Sequence, residues 1–577
     1  MGTISDKLMR IINTKEDIRQ ALISKGYDVP TSIPFKEYAK MILDLPCKAD
    51  SFPDIEGIVA RYSASGLTNE QMAANPVWVD KTGNGRDLQL KNFSWKRMSG
   101  VGGYVQDFND FRNNATVDKI RIDEQGSNSI KVTILTTGIS NAIYIPKNIY
   151  QFNKSYFIKI SSEGYNEGDL SLSFYAPSTS TTVTVSLNPN GITEIPAIKE
   201  DDFLAVYLSV GGKVGSITIE QLPLYPGALV FDGVDDYGVC ENFPILTKEK
   251  GYTVVALRKY ITPDPKSYLI SNGDVARLAA FLVEGNFPTI QYWNFGAVGN
   301  LNYIDNLPYV YQTSKEYNGR SINKGDLNEG IASLLVCKYG GWYSNAAIWE
   351  IVILDHDATG EELTKIKDYF VKTYPWLFPD QAWTVTGKTN EDEDRATIAN
   401  ITGNGNDLVL SNFGFAEGSG YNEEGEYAGY LVTDGVDDKI ASSDFKMGKD
   451  FTIVGDWKFI IDENKGCGLV KVPKLYIYNS KTGLDIYINS NSIKNVLSGI
   501  KGLNAVCSDG RIYDCNWNEI SVKYGNIVDI DSSFQIANSS NYITKIAFKN
   551  LGIYDNQILS KDDCIKAYNY LQTLKAK

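Results

Sequence analysis

Two short strings occur twice in this sequence, and the repetition constrains the fold more than any other feature. TGNGRDLQLKNF at 82–93 is repeated as TGNGNDLVLSNF at 402–413. FDGVDDY at 231–237 is repeated as TDGVDDK at 433–439. Because both strings recur in the same order, they indicate a duplicated domain.

The two copies differ in the distance between their strings. Positions 82 and 232 are 150 apart whereas positions 402 and 434 are 32 apart, so the first copy contains 118 additional residues. This insertion, 111–226, carries eight short alternating or apolar runs: KIRIDEQ, SIKVTIL, AIYIPK, SYFIKISS, LSLSFYA, TTVTVSLN, FLAVYLSV and SITIEQL. Such runs with turn residues between them are typical of an antiparallel jelly roll.

Both copies end in the same way, with a strand, a polar turn and an amphipathic helix. IWEIVILD precedes EELTKIKDYFVKTY, and IAFKNLGIYD precedes SKDDCIKAYNYLQTL. The predicted fold class is mainly β, with two β-sandwiches, the first interrupted by a jelly roll, after a small N-terminal α-helical segment. The predicted domains are a helical anchor at 1–46, a first sandwich at 54–110 plus 227–378, the insertion at 111–226 and a second sandwich at 380–577.

Composition narrows the classes of partner. The chain has 577 residues and a net charge of -14, with 70 acidic against 56 basic side chains. This balance repels nucleic acid and anionic membranes. The start has no apolar run of signal-peptide length, so we expect folding in a cytosol. Seven scattered Cys favour reduced thiols over a disulfide framework or a zinc site.

Candidate catalytic residues are few. His356 is the single histidine, which excludes zinc sites built on several His and argues against Ser-His-Asp or Cys-His enzymes. It lies in the polar segment LDHDATGEEL, and we predict a solvated loop residue. The acidic run at 391–394 is also predicted to be a solvated loop.

Two further motifs allow two interpretations each. Asp232, Asp235 and Asp236, like Asp434, Asp437 and Asp438 of the second copy, supply hard oxygen atoms that suit calcium, but Asp and Gly are also what a tight turn requires. The turn is favoured. The aromatic strings QYWNF at 291–295 and GWY at 341–343 suit stacking on sugars, yet such rings are more often core.

Residues 1–46 predict three short helices. Ser5 and Thr14 are candidate caps, Gly26 a stop, and Pro34 begins the third helix. Helices this short bury little apolar surface. We therefore expect them to dock on another subunit or a larger assembly; packing on the first sandwich is the alternative.

Several of these strings resemble a known family. ASGLTNEQM, NPVWVDKTGNGRDLQLKNF, FDGVDDYGV and the closing EELTKIKDYF helix resemble concanavalin-like, laminin-G-like domains, which occur in virion appendage proteins of tailed phages, notably those of gut Bacteroidetes. The opening TISDKLMRIINTKEDIRQALISKGYDV with PFKEYAKMI resembles the helical segment at the start of many such phage proteins. The inserted SYFIKISSEG and LSLSFYAPSTSTTVTVSL look like carbohydrate-binding jelly rolls.

This resemblance implies a function. It suggests a head fibre or capsid-decoration protein of the virion, attached to other virion proteins through 1–46, homo-oligomeric as a dimer or trimer, and displaying lectin-like domains to surface glycans. It implies no nucleic-acid or membrane partner, no cofactor, and no assigned catalytic, metal or glycan-contacting residue. Capsid attachment is favoured because the chain has no heptads or short β-helical repeats for a long shaft.

The same resemblance bears on enzymatic activity. Related glycosidases carry Glu-x-Asp-x-x-Glu on one strand, which spaces the two carboxylates for retaining hydrolysis. This sequence lacks that motif, so we expect no enzymatic activity. The alternatives are a tail fibre or receptor-binding protein, a polysaccharide depolymerase that uses carboxylates from distant strands, and a free bacterial lectin.

Overall fold

The computed structural model describes most of the chain after residue 51. It covers 52–577 except 177–180, 200–202, 248, 263–266, 273–278, 285–288, 291–297, 300–306, 322–331, 461–466, 473–474, 481–482, 489–490, 494–501, 522–529, 537, 540–541, 544 and 577. Before that, Lys15 and Arg19 are described, and both are helical. The rest of the predicted 1–46 segment lies outside the described residues. The chain divides into two compact units, Met1–Asp54 and Ile55–Lys577.

Two antiparallel sheets form the first sandwich, with strands numbered in chain order. One sheet has the order β24 (Arg320–Ser321), β23 (Glu316–Tyr317), β22 (Tyr309–Thr313), β17 (Thr253–Tyr260), β28 (Asn345–Leu354), β15 (Leu229–Asp232), β4 (Gly100–Val101), and β1 (Ile58–Ser63) also pairs with β28. The other has the order β19 (Ala279–Glu284), β18 (Ser267–Asn272), β25 (Leu334–Val336), β16 (Tyr237–Cys240), β3 (Leu88–Lys91), β2 (Val77–Trp78). The apolar runs of β17 and β28 are buried along almost their whole length because they lie at the centre of their sheet.

The insertion forms two sheets of its own. Their orders are β11 (Thr181–Ser186), β10 (Ser171–Ala176), β13 (Ala205–Ser209), β8 (Asn141–Pro146), β5 (Arg112–Asn113), and β12 (Ile192–Ile195), β9 (Tyr156–Glu163), β14 (Gly215–Gln221), β7 (Ser129–Ile134), β6 (Ile120–Gln125). Along the chain, β7 to β10 alternate between the two sheets, which is the jelly-roll connection. Each of the eight predicted runs contains a strand. The sequence missed β5 and β12, since these have only two and four residues.

The second sandwich repeats the first. One sheet has the order β32 (Gly420–Asn422), β33 (Tyr430–Val432), β46 (Ile546–Asp555), β35 (Phe451–Phe459), β40 (Gly502–Cys507), β41 (Arg511–Asp514), β42 (Glu519–Ser521), with β29 (Gln381–Thr384) on β46. The other has the order β30 (Thr397–Ile398), β31 (Leu408–Ser411), β34 (Lys439–Met447), β43 (Ile530–Ile536), β36 (Cys467–Val472), β37 (Leu475–Ser480), β38 (Gly483–Ile488), β39 (Asn491–Ile493). Short two-stranded ladders join β20 (Thr289–Ile290) to β21 (Val298–Gly299), β26 (Lys338–Tyr339) to β27 (Trp342–Tyr343), and β44 (Asn538–Ser539) to β45 (Tyr542–Ile543).

Three α-helices of at least six residues occur in the described part of Ile55–Lys577: α1 (Asn69–Ala74), α2 (Gly360–Thr373) and α3 (Lys561–Gln572). Short 3-10 turns span Phe108–Asp110, Lys147–Ile149 and Pro375–Leu377. Each α-helix begins at a hydroxyl cap, since the side chains of Thr68, Thr359 and Ser560 accept from backbone N–H groups of the first turn. Thr68 followed by Gln71 has capping-box spacing, so the sequence alone predicts a short helix here, and the structure confirms it.

The TGNG strings are turns that hold the first strand of each sandwich. In the first copy, Asp80 Oδ1 accepts from the backbone N of Arg61 at 3.1 Å and of Thr82 at 3.0 Å. In the second, Asn400 Oδ1 accepts from Ala382 N and Thr402 N, both at 3.1 Å. The glycines of both strings have φ between 71° and 80°, a left-handed conformation that glycine adopts without strain.

Each sandwich has its own apolar core in the described chain, and the inserted jelly roll has a third. The helices α2 and α3 differ in their contribution to packing. Helix α2 buries Ile366 and Phe370, whereas α3 buries six residues: Cys564, Ala567, Tyr568, Asn569, Tyr570 and Leu571. Helix α3 therefore packs on more than its own sandwich.

The predicted fold class is confirmed: the protein is mainly β, with two sandwiches, the first interrupted by a jelly roll. The finer predicted domain boundaries stay a prediction. Among the described helices, none combines the length and the apolar character needed to cross a bilayer.

Candidate functional site

The DGVDD loop of the first copy is a tight turn closed by its own carboxylates. Asp232 Oδ1 accepts from Val234 N at 2.8 Å and Asp235 N at 3.4 Å. Asp236 Oδ2 accepts from Asp232 N at 3.0 Å, and Asn92 Nδ2 donates to the Asp235 carbonyl at 3.0 Å. The loop thus satisfies its backbone with the side chains that the string supplies.

The second copy has the same geometry. Asp434 Oδ1 accepts from Val436 N at 2.7 Å, and Asp438 Oδ2 accepts from Asp434 N at 2.7 Å. In each loop the three carboxylates lie close enough that one oxygen of each falls within 4.8 Å of the others. In each loop two of the three carboxylates already accept backbone N–H groups, so turn formation accounts for the recurrence of the string without a metal.

Burial separates one carboxyl in each loop from the others. Burial and the neighbouring Asp232 carboxylate raise the pKa of Asp236 to about 7. Burial, with a smaller contribution from Asp434, raises the pKa of Asp438 to about 6. Asp438 Oδ1 accepts from Ser419 Oγ at 3.1 Å, whereas Asp236 Oδ1 has no partner within hydrogen-bond limits among the described residues.

His356 lies between two carboxylates and is only partly solvated. Its Nδ1 is 3.3 Å from Asp355 Oδ1 and its Nε2 is 3.2 Å from Glu362 Oε1. Burial lowers the pKa of His356, but hydrogen bonds to these two carboxylates outweigh it and the net pKa is raised. Glu362 also accepts from Thr359 in the capping box of α2. The ring therefore supports the start of α2, and the sequence did not reveal these partners.

The acidic run at 391–394 forms a loop as predicted, with Glu391, Glu393 and Asp394 exposed. Asp392 accepts from Thr389 N at 2.9 Å, and Asp394 pairs with Lys388 at 2.6 Å. These bonds organise a surface turn.

The two predicted aromatic platforms have different outcomes. QYWNF at 291–295 lies outside the described residues. In GWY, the Trp342 side chain is 42% exposed, and the Tyr343 ring lies 6.2 Å from that of Tyr237. Lys338 Nζ lies 4.5 Å from the Tyr237 ring centroid. The GWY rings thus form a small surface cluster next to the first DGVDD turn.

A cleft of about 680 Å³ lies where the inserted jelly roll meets the second sandwich. Its jelly-roll wall comes from β9, β12 and the chain leaving β14; its opposite wall comes from α3 and the loop before β42. We call it the joint cleft, and its lining residues are Lys159, Ile160, Ser161, Asn190, Gly191, Ile192, Leu222, Pro223, Pro226, Trp517, Asn518, Glu519, Lys561, Asp562, Ile565, Lys566 and Asn569. Its size falls within the usual range of small-ligand sites.

Aromatic rings pack beside the joint cleft, and one of them, Trp517, lines it. The Tyr568 ring on α3 meets Phe157 of β9 edge to face at 5.4 Å and Trp517 edge to face at 5.6 Å. Asn569 Nδ2 donates to the Pro223 carbonyl at 3.3 Å. Helix α3 thus contacts the jelly roll and its own sandwich together, which explains its large buried face.

The loop before β42 is held by one carboxylate. Asp514 Oδ1 accepts from the backbone N of Asn516 and of Asn518, both at 2.8 Å. Asp514 Oδ2 accepts from Asn518 Nδ2 at 3.0 Å. Asn518 is exposed and lines the cleft, and Asp514 holds its side-chain amide in place.

Behind the cleft, two carboxyl groups face each other across the joint. Glu194 of β12 has its pKa raised by burial and by Asp456 of β35, and Lys549 and Lys458 offset part of this. The Tyr430 hydroxyl donates to Asp456 Oδ2 at 2.9 Å and Gln572 Nε2 donates to the same oxygen at 3.1 Å. The joint is therefore polar as well as aromatic.

The sequence did not predict the joint cleft. Its walls come from segments about 400 residues apart, and none of its lining residues belongs to a repeated string. The one available signal was the composition of the final helix: KDDCIKAYNYLQ is apolar or aromatic around more of its circumference than its counterpart GEELTKIKDYFVKT.

Comparisons with known proteins find low-scoring structural similarities. No protein-family model and no curated protein matches the chain. The Trypanosoma rangeli sialidase in complex with sialic acid has a TM-score of 0.23 and 10% identity, and the match covers 83% of this chain and 97% of the sialidase chain. A CBM22 tandem domain of Paenibacillus barcinonensis Xyn10C has a TM-score of 0.15 and 10% identity, covering 47% and 96%. The binding domain of botulinum neurotoxin DC in complex with SialylT has a TM-score of 0.20 and 9% identity, covering 56% and 87%.

The expectation that this chain is not an enzyme is contradicted by this comparison, in which three solved structures that cover 78–83% of the chain, each with a TM-score of 0.23, are sialidases. At 10% identity the likeness concerns the fold alone. It assigns no catalytic residue to this chain.

Proposed function

We propose that this chain is a structural virion protein of a tailed phage, a head fibre or capsid-decoration protein that displays glycan-binding modules. In this proposal residues 1–46 attach to other virion proteins and form a homo-oligomer. The resemblance of that segment and of the laminin-G-like strings supports the virion role. The observation that carries the binding role is the joint cleft, whose lining combines amide, hydroxyl and charged side chains with the indole of Trp517.

The virion role is tested on purified particles. We expect imaging with a label at the C-terminus to place the protein on the capsid, and deletion of residues 1–46 to remove it from particles while Ile55–Lys577 still accumulates in the host. Labelling of the tail would favour a tail fibre. Its absence from particles altogether would contradict the virion role.

The binding role is tested with the full chain on an array of bacterial surface and mucosal glycans. We expect binding that falls when Asn518 is replaced by Ala and Asn190 is replaced by Ala. Recovered oligosaccharides should also be analysed by mass spectrometry, so that cleavage is detected together with binding. Binding that ignores both substitutions would place the glycan site outside the joint cleft.

A further inference from the structure

The net charge of the residues that line the joint cleft is opposite in sign to the net charge of the whole chain. Three lysines, Lys159, Lys561 and Lys566, line it with two carboxylates, Glu519 and Asp562, although the chain carries a net charge of -14. Cations gathered in a concave site raise the local concentration of anionic ligands. The lining thus contains one more ammonium group than carboxylates, although the protein is acidic overall.

Two of these lysines have no carboxylate partner in the described part of the chain. Lys566 Nζ pairs with Asp563 at 3.2 Å and lies 4.3 Å from the Trp376 ring centroid. Lys561 Nζ lies 5.8 Å from the Tyr513 ring centroid, with no ion pair. Lys159 is exposed on β9 on the opposite wall. The two ammonium groups without a carboxylate partner therefore stand on both sides of the cleft.

Neither of the two acidic lining residues forms an ion pair with Lys159 or Lys561 in the described part of the chain. Glu519 Oε1 accepts from Ser521 Oγ at 3.0 Å, and Glu519 Oε2 accepts from the Tyr513 hydroxyl at 3.3 Å. Asp562 is an exposed residue in the first turn of α3. Glu519 is thus held by hydrogen bonds within its own strand pair.

We infer that the joint cleft binds an acidic oligosaccharide through carboxylate groups held by Lys159 and Lys561. This rests on the proposed glycan-binding role and specifies its ligand class. The amide of Asn518, the amide of Asn190 and the hydroxyl of Ser161 provide hydrogen-bonding groups for sugar hydroxyls. Ammonium groups suit a ligand whose anions are spaced along a flexible chain, since lysine acts as a mobile point charge.

The test is titration calorimetry of the full chain with three oligosaccharide probes of matched length: oligogalacturonate, which is carboxylated, dextran sulfate, which is sulfated, and dextran, which is neutral. We expect oligogalacturonate to bind and its affinity to fall with added salt. Lys159→Gln and Lys561→Gln should each weaken binding about fivefold. Lys91→Gln, an equal charge change at an exposed position of β3, should leave the affinity unchanged.

Each other outcome overturns a defined part of the inference. Equal binding of dextran that is insensitive to both substitutions would reject the acidic ligand and leave the glycan-binding role standing. Preference for dextran sulfate would reject the carboxylate. Oligogalacturonate binding that both variants retain would place the site elsewhere. Failure of every probe, and of the glycan array, would reject the binding role itself. Unchanged thermal unfolding of the variants shows that they remain folded.

Discussion

Replacing Tyr568 with Ala should separate the inserted jelly roll from the second sandwich without unfolding either. Tyr568 is 3% exposed and contacts Phe157 on one side of the joint and Trp517 on the other. Its hydroxyl is also buried, and burial raises the pKa of this phenol well above its usual range. No other described side chain makes ring contacts with both Phe157 and Trp517.

The magnitude follows from the size of the deleted ring. Large-to-small replacement of a buried aromatic costs about 3–5 kcal/mol. Here that cost falls on the joint rather than on any one core, because the three cores are formed by other residues. The free energy of opening the joint should therefore fall by this amount, a roughly 150-fold to 4,000-fold rise in the open population.

Hydrogen exchange measured by mass spectrometry reports this locally. Amide exchange should accelerate in peptides covering β9 and α3 and stay unchanged in β17 and β28 of the first sandwich. Tyr568→Phe is the matched control, since it keeps both ring contacts; we expect a change of about 1 kcal/mol or less. Unchanged exchange in β9 of the Ala variant would refute the role of this ring in the joint.

Three further predictions concern buried or paired charges. Glu350→Ala removes the carboxylate that pairs with the buried Arg61 guanidinium at 3.1 Å. It should destabilise the first sandwich by about 3–5 kcal/mol, measured by hydrogen exchange in β1 and β28. Glu361→Ala, at an exposed position, should have no such effect. The pKa of the Asp236 carboxyl is raised to about 7, so this group contributes stability that is complete below the unfolded pKa of about 4 and is lost as pH rises through 7. Asp236→Asn should remove the contribution of the first DGVDD loop to the pH dependence of thermal unfolding. His356 has a raised pKa, so it contributes stability that is present below about pH 6.5 and is lost as pH rises through the folded pKa. In His356→Gln the unfolding temperature should depend less on pH over that range. An unchanged pH profile would contradict the pairing of His356 with Asp355 and Glu362.

The sequence predicted the parts of the fold that repetition and periodicity encode. The duplicated TGNG and DGVDD strings located two equivalent sandwiches, because Gly, Asn and Asp fix the same turns in both. Alternating runs located the jelly-roll strands, since period-two burial is visible in sequence. Thr68 revealed a helix start because cap chemistry is local.

What the sequence could not supply was the identity of packing partners. The helical periodicity of the sequence indicates that Tyr568 and Tyr570 are buried, but it does not indicate which residues pack on them. The partners of α3 lie on β9 and at Pro223, whose sequence distance from the helix is over 300 residues. The carboxylates beside His356 were also missed, since the capping box of α2 had not been recognised. A cleft between modules has no signature in any one segment.

The order in which the chain leaves the ribosome gives helix α3 a particular role in folding. The jelly roll and much of the second sandwich emerge before Tyr568 does. Phe157 therefore has no ring partner while the several hundred residues between it and Tyr568 are synthesised. During that interval the face of β9 that the helix later covers is open to chaperones and to other nascent chains. Biogenesis should thus be most vulnerable to aggregation just before residues 561–572 are made, and a ribosome stalled at that point should expose an aromatic surface that the finished protein hides.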